Sequence, residues 1–271
     1  MAEVADLAPD LVEQILERLA IERPRPDLDG LGQLYRAWCE HVPFDNIVKR
    51  IHLATGAPGP IPNGDPTRFF EGFLENGTSG TCWPSSLALF SLLDALGFPV
   101  RLASCCMADS VVSRIDHTHG TLLAHYGDDD WWVDTAMLTG EPFRLAPGSR
   151  VPRARTERLD DGDWRIWWTT HLSSDEMSCR LLDDRVDRDH YAVQYEASRD
   201  SSPFNASAYA VGWRAGRMVA VGRGSRVEQA PDGTVLSTTP VDDAAMRRVL
   251  IDDLGFSSSI VDQLPPDEPV S

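Results

Sequence analysis

The chain has 271 residues, with 42 Asp and Glu against 25 Lys and Arg, a formal net charge of −17. That balance excludes wrapping nucleic acid or resting on an anionic membrane, because both are polyanions. Hydrophobic residues make up 42% and charged residues 25%, the composition of a globular protein with a substantial core.

Lys49 is the sole lysine, so arginine supplies the other cations. Residues 1–20 carry acids and lack a cationic stretch before an apolar one, so no signal peptide is expected. No apolar run reaches the length of a membrane span, and a cytoplasmic location is expected. The five cysteines, Cys39, Cys82, Cys105, Cys106 and Cys179, are odd in number and irregular in spacing. They do not read as a disulfide framework.

Leu11, Val12, Ile15, Leu16 and Leu19 recur at helix spacing behind Pro9 and Asp10. Leu31, Leu34, Tyr35 and Trp38 form a second stripe that ends before Pro43. Segment 52–65, rich in Gly and Pro, reads as a loop. Asp65 and Pro66 signal a helix start ahead of Phe69, Phe70, Phe73 and Leu74. After the break at Asn76–Thr81, Pro84 opens a helix that is apolar nearly all round and ends at Gly97.

Strands are expected at Val100–Met107, Thr118–Tyr126 and Trp131–Thr135, the last two joined by a Gly127–Asp130 turn. Further strands are expected at Trp164–Trp168 and Tyr191–Tyr195. Ala208–Trp213 and Met218–Val221 read as a hairpin, and Asp242 caps a last helix through Leu254. Residues 265–271 read as a loose tail. Helices followed by strands and a mixed end give an α+β class.

Ser79-Gly80-Thr81-Cys82-Trp83-Pro84 sets a cysteine at the start of a buried helix. The free N–H groups and partial positive charge there favour a thiolate and could hold an oxyanion. A lone cysteine is more often an inert core residue. Asp116-His117-Thr118-His119 opens one expected strand and Trp131-Trp132-Val133-Asp134 lies on the next. On adjacent antiparallel strands a His and an Asp can face each other. A thiol nucleophile needs such a base, and the base needs an orienting group. His117 and His119 share one strand face and could form a metal pair, but no third ligand cluster accompanies them. No metal is therefore expected.

These residues carry a resemblance. The chain is similar to the arylamine N-acetyltransferase family. Val42-Pro43-Phe44-Asp45-Asn46 matches a run that follows the family's second helix. Gly80-Thr81-Cys82-Trp83 resembles its cysteine motif, and Leu96-Gly97-Phe98 the end of its leucine-rich helix. Val100-Arg101-Leu102, Thr118-His119, Trp131-Trp132-Val133-Asp134, Ser201-Ser202-Pro203-Phe204, Gly233 and the final helix follow in the family's order.

The resemblance implies a helical bundle bearing the cysteine at 1–97, a β-barrel bearing His and Asp at 98–200, and an α/β lid at 201–271. It implies Cys82 as nucleophile, His119 as base and acid, and Asp134 as orienter. Gly80, Thr81, Trp83 and Thr135 would frame the substrate site, and Phe44 and Phe204 would line it, with plain core packing an equal reading of those two.

The chain also departs from the family. Thr78-Ser79-Gly80-Thr81 replaces Arg-Gly-Gly-aromatic before the cysteine, and Pro84-Ser85-Ser86 replaces the residues after Trp83. Thr135-Ala136-Met137-Leu138 replaces the loop after the aspartate. Retained catalytic types within changed walls imply a changed substrate.

The function expected is a thiol-dependent, amide-forming acyltransferase, as in secondary metabolism. Its donor would be an acyl-CoA or an acyl-carrier-protein thioester, its acceptor a small-molecule amine. No cofactor would be bound, and no nucleic acid or membrane would be a partner. A transglutaminase-like enzyme or thioester or amide hydrolase with the same triad is one alternative, and a non-catalytic scaffold another. Segments 148–158 and 212–226, with Arg150, Arg153, Arg155 and Arg158 and with Arg214, Arg217, Arg223 and Arg226, are net basic. An anionic donor would approach near one of them.

Overall fold

In a computed structural model the structure describes residues 7–107 and 117–267. Asp116, the first six residues and the end of the expected tail lie outside these.

The expected helices form first: α1 (Pro9–Arg18) and α2 (Leu28–His41). Pro9 suits a first turn, where its missing N–H would have no partner. Asp27 caps α2 by accepting from Gly30 N at 2.8 Å. A short strand, β1 (Phe44–Asp45), leads into α3 (Ile47–Thr55). This helix runs into the expected loop and stops at Gly56, whose φ of 59° forms a left-handed cap. α4 (Pro66–Asn76) is capped by Asp65 as expected, with Arg68 N at 3.0 Å. α5 (Cys82–Ala95) starts on the cysteine itself and is buried on most sides. Trp38 on α2 stacks on Phe69 and meets Phe70 edge-on, both on α4. Each such buried aromatic contributes roughly 1.5–3 kcal/mol.

The middle of the chain forms β2 (Val100–Met107), β3 (His119–Tyr126), β4 (Asp129–Val133), β5 (Phe143–Arg144), β6 (Arg150–Val151), β7 (Ala154–Arg158), β8 (Trp164–Thr169) and β9 (Glu176–Val186). They make one antiparallel sheet in the order β5-β4-β3-β2-β9-β8-β7-β6, a nearly closed barrel. The β3–β4 turn is tighter than expected, since Tyr126 pairs with Asp129.

Tyr191–Tyr195 is not a strand. It lies in α6 (Arg188–Ala197), capped by Asp187, which accepts from His190 N at 2.7 Å. Tyr191 and Tyr195 are buried while Val193 between them is 64% exposed, a helical spacing rather than an alternation.

The last part forms β10 (Tyr209–Arg214), β11 (Arg217–Gly222), β12 (Ser225–Gln229) and β13 (Val235–Pro240). β1 adds to this sheet by pairing Phe44 with Val211 and Asp45 with Ala210. The expected β10–β11 hairpin turns through Ala215 and Gly216, both at positive φ, the two-residue geometry that matches strand twist. α7 (Asp243–Arg248), a wider helical segment at Val249–Asp253 and α8 (Ser258–Val261) cover one face through Leu250, Leu254 and Val261. Among the described residues no helix is long and apolar enough to cross a membrane.

Candidate active site

Cys82 is held by what precedes it. Asp45 is fully buried, and its Oδ2 accepts from Ser79 N at 2.7 Å and Ser79 Oγ at 2.9 Å. Its Oδ1 accepts from Ile47 N at 2.9 Å. Burial pushes this carboxyl up to about 6, against the pull of those donors. Phe44 bridges Gly80 in parallel, so β1 fixes the segment entering α5. The first bond of the helix is Ser85 N to Thr81 O at 3.1 Å. The N–H groups of Cys82 and Trp83 precede it, and Pro84 has none.

His119 opens β3, with Leu122 opposite Val133 on β4, so Asp134 follows directly beyond the pairing. His119 Nε2 lies 2.7 Å from Asp134 Oδ2, with both side chains buried. The Cys82 side chain acts on the same imidazole and raises its pKa. With Nε2 on the carboxylate, Nδ1 is the ring nitrogen left for a further partner. Asp134 Oδ1 accepts from Ala136 N at 2.9 Å and Met137 N at 3.0 Å.

Burial lowers the His119 pKa, but the Asp134 charge, their hydrogen bond and the Cys82 contact outweigh it and raise it well above the ordinary value. Burial raises Asp134, but the His119 charge and hydrogen bonds from His119, Thr121 and Ala136 hold it below the usual range. Burial pushes Cys39 up to about 12 and Cys105 well above its ordinary value, which disfavours their thiolates.

The residues expected around the substrate divide into several groups. Phe44, Phe204 and Tyr209 form an aromatic cluster, with Phe44 and Phe204 ring centroids 5.5 Å apart. Gly80 gives its carbonyl to Asp45 N and Ser85 Oγ, and Thr81 is the N-cap of α5. Trp83 packs edge-on against Tyr191 at 4.9 Å and lies against Gly120, where a Cβ would come within 2.6 Å of its ring. Thr135 turns its hydroxyl to Ser86 Oγ at 3.1 Å. His117 is set apart from His119: its Nδ1 meets Ser104 Oγ at 2.8 Å and its ring meets His190. Among the described residues no cluster of three or more His, Cys, Asp or Glu could hold a metal ion.

Other side chains complete the site without a motif to announce them. Tyr35 on α2 donates to the Asp134 carbonyl oxygen at 2.6 Å and contacts Thr139 Oγ1 at 3.0 Å. Trp168 on β8 stacks on His119, with centroids 6.1 Å apart. The apolar stripe showed Tyr35 only as a core residue, and nothing in the sequence paired Trp168 with His119.

No protein-family model matches the sequence, and no curated protein matches it. Solved structures do match. The arylamine N-acetyltransferase of Mycobacterium marinum in complex with CoA superposes with a TM-score of 0.78 at 16% identity, over 93% of this chain and 96% of that one. The Salmonella typhimurium arylamine N-acetyltransferase gives 0.76 at 18% identity, over 95% and 98%. That of Mycobacterium abscessus gives 0.74 at 16% identity, over 93% of each chain. With its barrel, its second sheet and the cysteine opening a buried helix, the chain has the fold of the arylamine N-acetyltransferases.

Proposed function

We propose that the chain is a thiol acyltransferase that forms amides, moving an acyl group from a thioester through Cys82 to an amine. One observation carries this reading: His119 Nε2 lies 2.7 Å from Asp134 Oδ2, both side chains buried, and Cys82 opens a buried helix. Cys82 is the nucleophile, His119 the base and acid, and Asp134 the orienter. A division of the chain at residues 97 and 200 into bundle, barrel and lid belongs to the same proposal.

In the first half-reaction His119 takes the thiol proton and sulfur attacks the thioester carbonyl. The oxyanion faces the free N–H groups at the start of α5. The donor's C–S bond breaks, and its thiolate takes the proton from His119. In the second half-reaction an amine attacks acyl-Cys82 and gives a proton to His119. The Cys82 C–S bond breaks, the thiol regains the proton and an amide leaves. Asp134 keeps Nε2 protonated, so Nδ1 remains the working nitrogen.

Intact-mass measurement after incubation with acetyl-CoA, longer acyl-CoAs and acyl carrier protein thioesters tests the reading. One acyl mass on the wild type, absent from Cys82→Ala, is expected. An unchanged mass with every donor overturns it. Acid release at one rate with and without amines would make water the acceptor instead.

A further inference from the structure

The arginine-rich segment 148–158 does not present one basic face. Arg150 is exposed. Arg155 pairs with Glu176 at 3.0 Å and lies over Trp167 at 4.9 Å, while Arg158 lies over Trp164 at 4.4 Å. Arg153 alone turns inward and is 2% exposed. Its Nη2 donates to Thr169 O at 3.1 Å and Gln229 Oε1 at 3.0 Å. Gln229 is fully buried, and its own Nε2 is held by Thr170 O at 2.8 Å and Ser173 O at 2.7 Å. That fixes its oxygen on the guanidinium. Arg153 Nε and Nη1 are buried with no hydrogen-bond partner among the described residues. Among the described residues no ion pair compensates the charge there. Asp232, the acid that acts on it from farther off, sits exposed in the β12–β13 turn.

A buried, oriented cation without an anion is costly for a fold that does not use it. Its position is informative. Ala154 pairs with Trp168, the residue stacked on His119, and Arg153 bonds the next carbonyl, Thr169 O. His171 lies beside it, with Nδ1 2.7 Å from Tyr209 Oη. Tyr209 belongs to the aromatic cluster of Phe44 and Phe204. Burial lowers Arg153 to about 10, so it stays charged at neutral pH. Burial and the Arg153 charge lower His171 to about 3, so it stays neutral and offers no competing cation.

We propose that Arg153 recognises a carboxylate carried by the substrate of the Cys82 site, with Gln229 as its positioning residue. This rests on the acyltransferase reading. Its burial excludes bulky phosphates and suits the small end of an acyl chain or of an amine. The charged end would be placed by the guanidinium, past the aromatic rings, with the reacting end at Cys82.

The test uses the full chain. Phenylacetate and phenylacetamide are compared as ligands of the Cys82→Ala protein by calorimetry, with and without Arg153→Met. Phenylacetate is expected to bind about tenfold tighter or more, and Arg153→Met to abolish the difference. Succinyl-CoA against butyryl-CoA then tests a donor carboxylate. The acid against the amide of 6-aminohexanoate tests an acceptor carboxylate. The arm that shows the preference, lost in Arg153→Met and partly kept in Arg153→Lys, identifies the source. Equal binding of acid and amide, or a preference that survives Arg153→Met, overturns the proposal. Arg153→Met is expected to melt no lower than the wild type. If it fails to fold, Arg153→Lys and Arg153→Gln take its place in the same comparison. Absence of any acyl-Cys82 defeats the acyltransferase reading, while the calorimetry still decides Arg153.

Discussion

Ser86 Oγ lies 3.1 Å from Thr135 Oγ1 and donates to the Gly120 carbonyl at 3.0 Å, so Thr135 is the donor to Ser86. One pair of hydroxyls therefore ties the helix of Cys82 to the strand of His119 and the loop of Asp134. Both residues depart from the family pattern, and the structure brings those two departures into contact. Ser86→Ala and Thr135→Val are each expected to cost about 1–3 kcal/mol, by leaving a buried partner unmet. The double variant is expected to lose less than the sum of the two, a coupling that denaturant unfolding of all four proteins would reveal.

Asp134→Asn is expected to keep the fold and slow acyl transfer by about 10²–10⁴-fold, since an amide no longer stabilises the imidazolium or its tautomer. Single-turnover acylation by intact mass gives the rate. Replacement by Ala adds a stability loss of about 3–5 kcal/mol, because the His119 charge loses its buried partner.

The His119–Asp134 pair sets a pH dependence of stability. The folded His119 value is raised, so its contribution is complete below the unfolded 6.5 and is lost as pH rises through the folded value. The folded Asp134 value is lowered, so its contribution is complete above the unfolded 3.8 and is lost as pH falls through the folded value. Both are complete between those two unfolded values. Melting temperatures across pH should show the His119→Gln deficit greatest in that window and shrinking on the alkaline side.

Tyr35→Phe removes the donor to the Asp134 carbonyl at 2.6 Å without changing ring volume. A stability loss of about 1–3 kcal/mol is expected. The rate of Cys82 acylation should fall with it, because the Asp134 backbone is no longer held from α2. Denaturant midpoint and acylation rate check the two parts.

Gly120→Ala brings a Cβ to 2.6 Å from Trp83 Cε3 and 3.0 Å from Tyr191 Cε1. Overpacking there is expected to cost about 1–3 kcal/mol and displace Trp83, next to Cys82. Near-ultraviolet circular dichroism reports the ring shift, and acylation its consequence.

The helices with apolar stripes and caps were legible, because period and cap chemistry are local. Asp65 and Asp242 cap where their side chains reach a backbone N–H three residues on. Residues 191–195 misread as a strand because aromatic composition favours β, while the burial of Tyr191 and Tyr195 depends on Trp83 and a barrel that the local pattern does not contain. β9 was missed for a related reason. Its Asp183, Asp184 and Arg185 are exposed on a barrel wall and show no alternation.

The sequence by itself determined the acidity, the helix that begins at Cys82, and a His and an Asp on successive strands, since charge, capping and β period are set by neighbours in the chain. The resemblance already named His119 with Asp134; only the tertiary structure decided that their side chains meet at 2.7 Å, that Tyr35 and the Ser86–Thr135 pair hold that carboxylate's loop, and that Arg153 turns inward with no ion pair among the described residues. Each of these depends on strand register and on contacts between residues far apart in sequence, which no local pattern encodes. The acidity now reads differently. Against a net charge of −17, the chain buries the Arg153 guanidinium with no ion pair among the described residues.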